Sequence, residues 1–456
     1  MARDVSDKQI VASPADLAAW LEAGCKPAAE HRVGAEHEKI PFAISGHDPV
    51  PYAGANGIKA LLEGMGQAGA WQPINDRGAL IGLFDVQGGG AISLEPGGQF
   101  ELSGAPLANV HETATELDQH LRALRAVADP LGIGFLSLGM SPKWTRAQTP
   151  VMPKSRYAIM ARYMPKVGAS GLDMMFRTST VQANLDFSSE RDMVAKLRVG
   201  LALQPMITAL FANSPFTDGK LNGLQSARSE IWRDTDAART GMLPFAFEAG
   251  MGFERYVDFA LDVPLYFVKR GEIYHDVAGA SFRDLLAGKL AALPGERATI
   301  SDWANHLSTI FPEVRLKRYL EMRGADVGPP ERICALTALM TGLYYDSSAL
   351  AGAWDLAKSW SAVERQAARD AAPRLGLAVN IGGRNLRDIA RDAIGIAEQA
   401  LRRRARLNAQ GQDETRYLAP LKAIVESGKN PAQDWIARFE GPWRGSVEPA
   451  FDEAVF

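Results

Sequence analysis

The chain has 456 residues, with 50 lysines and arginines against 53 aspartates and glutamates, and 46% of it is apolar. This composition excludes a disordered chain, and the net charge of −3 excludes nucleic acid as the main partner, since phosphate binding draws on a basic excess. Two cysteines exclude a disulfide framework and a thiolate zinc cluster.

The N-terminus, MARDVSDKQIVASPADLAAW, carries acids where a secretory leader needs a basic and then an apolar run. No uninterrupted apolar stretch approaches the ~18 residues of a membrane span. The expectation is a cytoplasmic protein with no membrane partner.

In chain order, Ser13-Pro14-Ala15-Asp16 predicts a helix start, with a capping hydroxyl, a proline at the first position and an acid in the first turn; Gly24 ends it. Residues 32–38 alternate with period 2 and predict a strand with Glu36 and Glu38 on one face and His37 on the other. Residues 93–101 read as a second strand, with Glu95, Gln99 and Glu101 on one face and Leu94, Phe100 and the following Leu102 on the other. Apolar residues at 110, 114, 117, 121, 124 and 127 predict an amphipathic helix over 107–129.

Residues 177–188 predict a third strand, with Thr178, Thr180, Gln182, Asn184 and Asp186 opposite Val181, Leu185 and Phe187. A helix opened by Ser-Ser-Glu follows over 189–212. Residues 314–323 predict a fourth strand, with Arg315, Lys317, Tyr319, Glu321 and Arg323 opposite Val314, Leu316, Leu320 and Met322. From 330 to 456 the chain is rich in Ala, Leu and Arg and reads as mostly helical, with one helix near 384–408 whose solvated end carries the basic run Arg402 to Arg406. No repeat or linker marks a boundary, so one packed unit over 1–456 is expected.

Any one of these strands reads equally as the solvated face of an antiparallel sheet. Together they collect glutamate, glutamine and asparagine on three faces and add lysine and arginine on the fourth. Carboxylates gathered on one face repel one another unless hard divalent cations bind there, and oxygen ligands point to magnesium or manganese. Basic residues on the same face would meet phosphates. A P-loop is absent, and His111-Glu112 lacks the second histidine of a zinc protease helix, because position 115 is threonine.

The strings GAEHEK (34–39), SLEPGGQFELSGAPL (93–107), MPKSRYAIMARYMPKVG (152–168), GLDMMFRTSTVQANLDFSS (171–189), ALFANSPF (209–216), SARSEIWRDTD (226–236), DVPLYF (262–267) and EVRLKRYLEMRGAD (313–326) resemble the plant-type glutamate-cysteine ligases of plants and several groups of proteobacteria. The resemblance implies an α+β fold of the glutamine-synthetase type, a curved antiparallel sheet forming an active-site funnel with helices outside. It implies ATP-dependent joining of the γ-carboxylate of L-glutamate to the amine of L-cysteine through a γ-glutamyl phosphate, the first step of glutathione synthesis, with two or three magnesium ions.

By the same resemblance Glu36, Glu38, Glu95, Gln99, Glu101 and Glu321 are the metal set, and Lys317 and Arg323 face the transferring phosphoryl group. Arg156, Arg228, Tyr266, Gln182 and Asn184 surround the substrates, with Tyr266 walling the cysteine pocket. The Cys25 and Cys334 contexts match one regulatory cysteine pair of the plant enzymes, while the second pair falls at Val277 and Ala292 and is missing. Three readings stay open at this point: this ligase, as a monomer or homodimer open to feedback by glutathione; a ligase joining glutamate to another amine; and a catalytically silent protein of the same fold.

Overall fold

Strand β1 (Val33–Ala43) runs through the middle of the largest sheet of the computed structural model, which describes residues 7–456. The other strands are β2 (Trp71–Asp76), β3 (Ala79–Asp85), β4 (Ala91–Leu94), β5 (Phe100–Ser103), β6 (Ile133–Leu136), β7 (Thr180–Leu185), β8 (Val314–Leu316) and β9 (Leu320–Asp326). Their order is β8-β9-β7-β1-β5-β4-β3-β2, with β6 pairing the far end of β1. All these pairings are antiparallel.

The helices explain why the sheet has two unlike faces. Helices α1 (Pro14–Glu22), α2 (Val110–Ala128), α4 (Glu190–Phe211) and α7 (Leu386–Arg404) fall where the sequence puts them, α3 (Ser155–Tyr163) and α5 (Ala227–Ile231) are added by the structure, and α6 (Pro330–Tyr344) opens the portion expected to be mostly helical. Asn109, Ser189 and Asn385 cap α2, α4 and α7 by accepting from backbone N–H groups at 3.0, 3.2 and 2.8 Å. Helices α2, α4 and α6 pack on the central strands, burying Val33, Ala35, Val181, Ala183, Leu185, Leu320 and Met322 in one apolar core. The opposite face keeps its polar side chains for a cavity. The class is the α+β one expected.

Helix α4 is long and apolar enough to cross a bilayer by length and composition, yet 89% of its most apolar window is buried inside the protein. Beyond Pro330 the described residues form helices with one small hairpin, Asn380–Ile381 with Arg384–Asn385. The basic run is mostly solvated as expected, Arg402, Arg403 and Arg406 being exposed, with Arg403 pairing with Asp346 at 2.9 Å and the half-buried Arg404 with the buried Glu414 at 2.5 Å.

Three strand readings need correction. Residues 93–101 form the turn of a hairpin, β4 to β5, with Glu95 opening the turn: the Gly98 N–H donates to the Glu95 carbonyl at 2.9 Å. Residues 314–323 are likewise a hairpin, β8 to β9, which sets Arg315 directly across from Glu321. Arg177 ends a short helix, Gly171–Arg177, so β7 starts later, at Thr180.

Candidate active site

Register places the acids. Glu38 on β1 stands directly across from Glu101 on β5, and Glu36 directly across from Gln182 on β7. Like charges directly opposite on a sheet destabilise it. Glu95 joins from the β4–β5 turn, so that Glu38, Glu95 and Glu101 present carboxylate oxygens within 4.8 Å of one another. Burial, and after it the charges of Glu95 and Glu101, push the Glu38 carboxyl well above the usual carboxylate range. Among the described residues no arginine lies within ion-pair distance of the trio. Neutral donors reach the trio: the Thr180 N–H donates to Glu38 at 3.0 Å, the Tyr157 hydroxyl to Glu95 at 3.2 Å, and the Ser103 hydroxyl to Glu101.

Gln99, expected in the metal set, lines the cavity but commits its amide to the backbone. Its amide donates to the carbonyls of Thr178 and Met175 at 2.8 and 3.3 Å, and its oxygen accepts from the Gly97 N–H at 2.9 Å. It fastens the turn that carries Glu95. Gly98 in that turn has φ of +89°, a conformation that suits glycine.

These acids share with arginines the lining of a cavity of about 790 Å³, counting its mouth. Arg156, in the first turn of α3, is 8% exposed; its guanidinium lies 5.3 Å from the Phe267 ring, and its Nε is buried with no hydrogen-bond partner. Arg228, on α5, is 3% exposed and donates to the main-chain carbonyl of Arg323 at 2.8 Å. Neither forms an ion pair among the described residues. Two buried guanidinium groups without carboxylates fit an anionic ligand.

Glu321 belongs to a separate arrangement. It is fully buried and off the cavity wall, and it accepts from Arg315 at 2.6 Å, from Lys317 at 2.8 Å, and from Arg323. Burial alone would raise its pKa, but the three cations outweigh that and hold it well below the carboxylate range. Its oxygens are occupied by cations in the structure, where metal ligation was the expectation. Its role is to align Arg315 and Arg323, both of which line the cavity. Gln182 helps by accepting from Arg323 at 2.7 Å.

Other expected residues fall outside the cavity. Lys317 and Asn184 are off its wall, Asn184 donating to Glu36 at 2.8 Å. Tyr266 is 1% exposed and packs behind the wall, its ring 3.8 Å from the Arg239 guanidinium and edge-on to Tyr163 at 5.5 Å. Apolar packing in the cluster of Tyr157, Met160 and Phe267 holds it there. Cys25 and Cys334 are free thiols set against different elements: Cys25 lies near Glu22, Glu190 and Asp192, whereas Cys334 on α6 shares a groove with Ala114 of α2 and Tyr417. Of the two states open to this pair, the structure has the unpaired thiols.

Sequence reasoning missed several wall residues. Lys154 and Tyr157 flank Arg156, and Lys154 donates to the Tyr157 hydroxyl at 3.2 Å; their signal was present in the 152–168 string. Trp232 and Phe311, 5.6 Å apart, flank the Arg323 guanidinium at 5.9 and 5.6 Å and come from segments with no periodic signature.

The chain was compared with known proteins. It is 50% identical over 441 residues to the chloroplastic glutamate-cysteine ligase B of Oryza sativa subsp. japonica, covering 97% of this chain and 87% of that protein. It is 51% identical over the same length to the chloroplastic glutamate-cysteine ligases of Nicotiana tabacum and Arabidopsis thaliana, covering 97% of this chain and 82% of each. A crystal structure of glutamate-cysteine ligase from Francisella tularensis in complex with AMP superposes with a TM-score of 0.55 at 16% identity, over 93% of this chain and 87% of that one, a likeness of fold. The model of glutamate-cysteine ligase family 2 (GCS2) matches residues 32–453. By that match, and by half-identity along almost its whole length, the chain belongs to glutamate-cysteine ligase family 2.

Proposed function

We propose that the protein joins the γ-carboxylate of L-glutamate to the amine of L-cysteine with consumption of ATP, the first step of glutathione synthesis. The observation that carries this reading is one cavity whose lining combines Glu38, Glu95 and Glu101 with Arg156 and Arg228, which form no ion pair among the described residues, in a chain half identical to glutamate-cysteine ligases.

Three mutually repelling carboxylates with oxygen-only donors fit magnesium or manganese, and Glu38, Glu95 and Glu101 would hold it, with Glu36 nearby. When bound, such an ion offsets the repulsion between nucleotide phosphates and an anionic acceptor. The chain's own residues supply positioning and charge. Arg156 and Arg228 bind substrate α-carboxylates through paired N–H donors. Arg323, held by Gln182 and Glu321, meets the negative charge on the transferring phosphoryl group.

Phosphorylation turns the γ-carboxylate, a poor acyl donor, into an acyl phosphate. The neutral amine of cysteine then attacks the acyl carbon, and phosphate leaves. Trp232, Phe311 and Met160 on the cavity wall restrict water around the acyl phosphate. The two free thiols suit a reducing, cytoplasmic setting.

The test is ADP release with magnesium, ATP and glutamate, comparing cysteine with 2-aminobutyrate and other amines. Cysteine-dependent turnover is expected. Absence of any amine-dependent turnover would overturn the reading, and turnover with amines other than cysteine alone would assign a different product.

A further inference from the structure

Three short segments, Asn213-Ser214, Ser226-Ala227 and Gly324-Ala325-Asp326, have no place in the chemistry above, yet they meet at one buried carboxylate. Asp326, at the end of β9, is 2% exposed. It accepts from the Asn213 N–H at 2.8 Å, from the Ser214 hydroxyl at 2.7 Å and from the Ser226 hydroxyl at 2.8 Å. Room for it exists because residue 139 is glycine: a Cβ there would stand 2.5 Å from the Asp326 carboxyl carbon.

Both serines act on the helix that carries Arg228. Ser226 caps α5, its hydroxyl accepting from the Ser229 N–H at 3.2 Å, and Ser214 accepts from the N–H of Arg228 itself at 3.2 Å. A five-residue helix has little stability of its own, so its orientation is set by these anchors. We propose that Asp326 is the positioning residue of the substrate-carboxylate site, fixing α5 through Ser214 and Ser226 and so setting where the Arg228 guanidinium stands. Its negative charge also favours the charged form of Arg228, against the burial that disfavours it. Asp326 touches no substrate. The inference rests on the reading of Arg228 as a carboxylate-binding group.

The experiment is steady-state kinetics on Asp326→Asn, Arg228→Lys and the double variant, with KM measured separately for glutamate and cysteine. Arg228→Lys is expected to raise one of these KM values. Asp326→Asn is expected to raise the same KM about tenfold while kcat stays within about threefold, and the double variant should be no worse than Arg228→Lys alone, since coupled residues are non-additive. An Arg228→Lys enzyme with both KM values unchanged would overturn the carboxylate assignment of Arg228, and the inference with it. A raised KM in Arg228→Lys with none in Asp326→Asn, or additive effects in the double variant, would overturn the inference alone. Should Asp326→Asn fail to fold, Ser226→Ala, which removes one of the three donors, must show a smaller rise in the same KM, and an unchanged KM there overturns the inference.

Discussion

The guanidinium of Arg228 donates to the main-chain carbonyl of Arg323, not to its side chain. Two cations on one wall are thereby tied together through a group that substitution does not remove. Arg323→Lys should therefore leave Arg228 in place. The expected result is a kcat lowered about 10²- to 10³-fold, as for loss of a preorganised donor, with KM for glutamate within about threefold. Steady-state ADP release checks it, and a large rise in KM would show that the two arginines share one ligand.

The acidic trio makes a prediction with a sign. The Glu38 carboxyl sits well above its usual 4.5, first through burial and then through Glu95 and Glu101. A group that holds its proton more tightly folded than unfolded contributes stability below the unfolded value, and that contribution is lost as pH rises through the folded one. In EDTA the melting temperature should thus fall as pH rises above about 4.5, and Glu38→Gln should flatten the fall. Equal slopes in thermal melts of the two proteins would remove Glu38 as the source.

Gln99→Ala should behave as a structural lesion. It removes the partner of two carbonyls and of the Gly97 N–H, which costs about 1–3 kcal/mol in a buried setting. Urea denaturation should show that loss. Any activity remaining should keep the wild-type dependence on magnesium concentration, whereas a shifted dependence would return Gln99 to the metal set.

The thiols predict chemistry as well. Thiol titration of the denatured, non-reduced protein should count two. In the folded protein Cys334 should react slowly, because burial pushes its thiol up to about 12 and only the thiolate is nucleophilic. Cys25→Ser should leave the response of activity to oxidant unchanged; loss of an oxidant effect in that variant would revive a regulatory pair.

The helices were legible because capping residues and 3–4 spacing are local signals, as Ser189 before α4 and the apolar spacing of α2 illustrate. The two hairpins were not, for a geometric reason. Ser93 pairs with Glu101 and Leu94 with Phe100, while Arg315 pairs with Glu321 and Leu316 with Leu320. Each partner is an even number of residues away, so the period-2 pattern passes through the turn unbroken and imitates one strand. The same parity is why the acidic face was identified correctly although Glu95 lies on no strand. The ion pairs of Glu321 were not legible because a sequence shows that a carboxylate shares a face with Arg315, Lys317 and Arg323, but not that all three converge on it. Trp232 and Phe311 meet through tertiary packing, which leaves no local trace.

Helix α4 also sets a timetable for synthesis. Its last residue, Phe211, leaves the ribosome roughly a hundred residues before β8 and β9, and at about 5–20 residues per second that is an interval of about 5–20 s. Throughout it a long apolar segment lacks the strands and C-terminal helices that later enclose it. A truncation ending before Val314 should therefore accumulate as insoluble protein while the full chain remains in the supernatant.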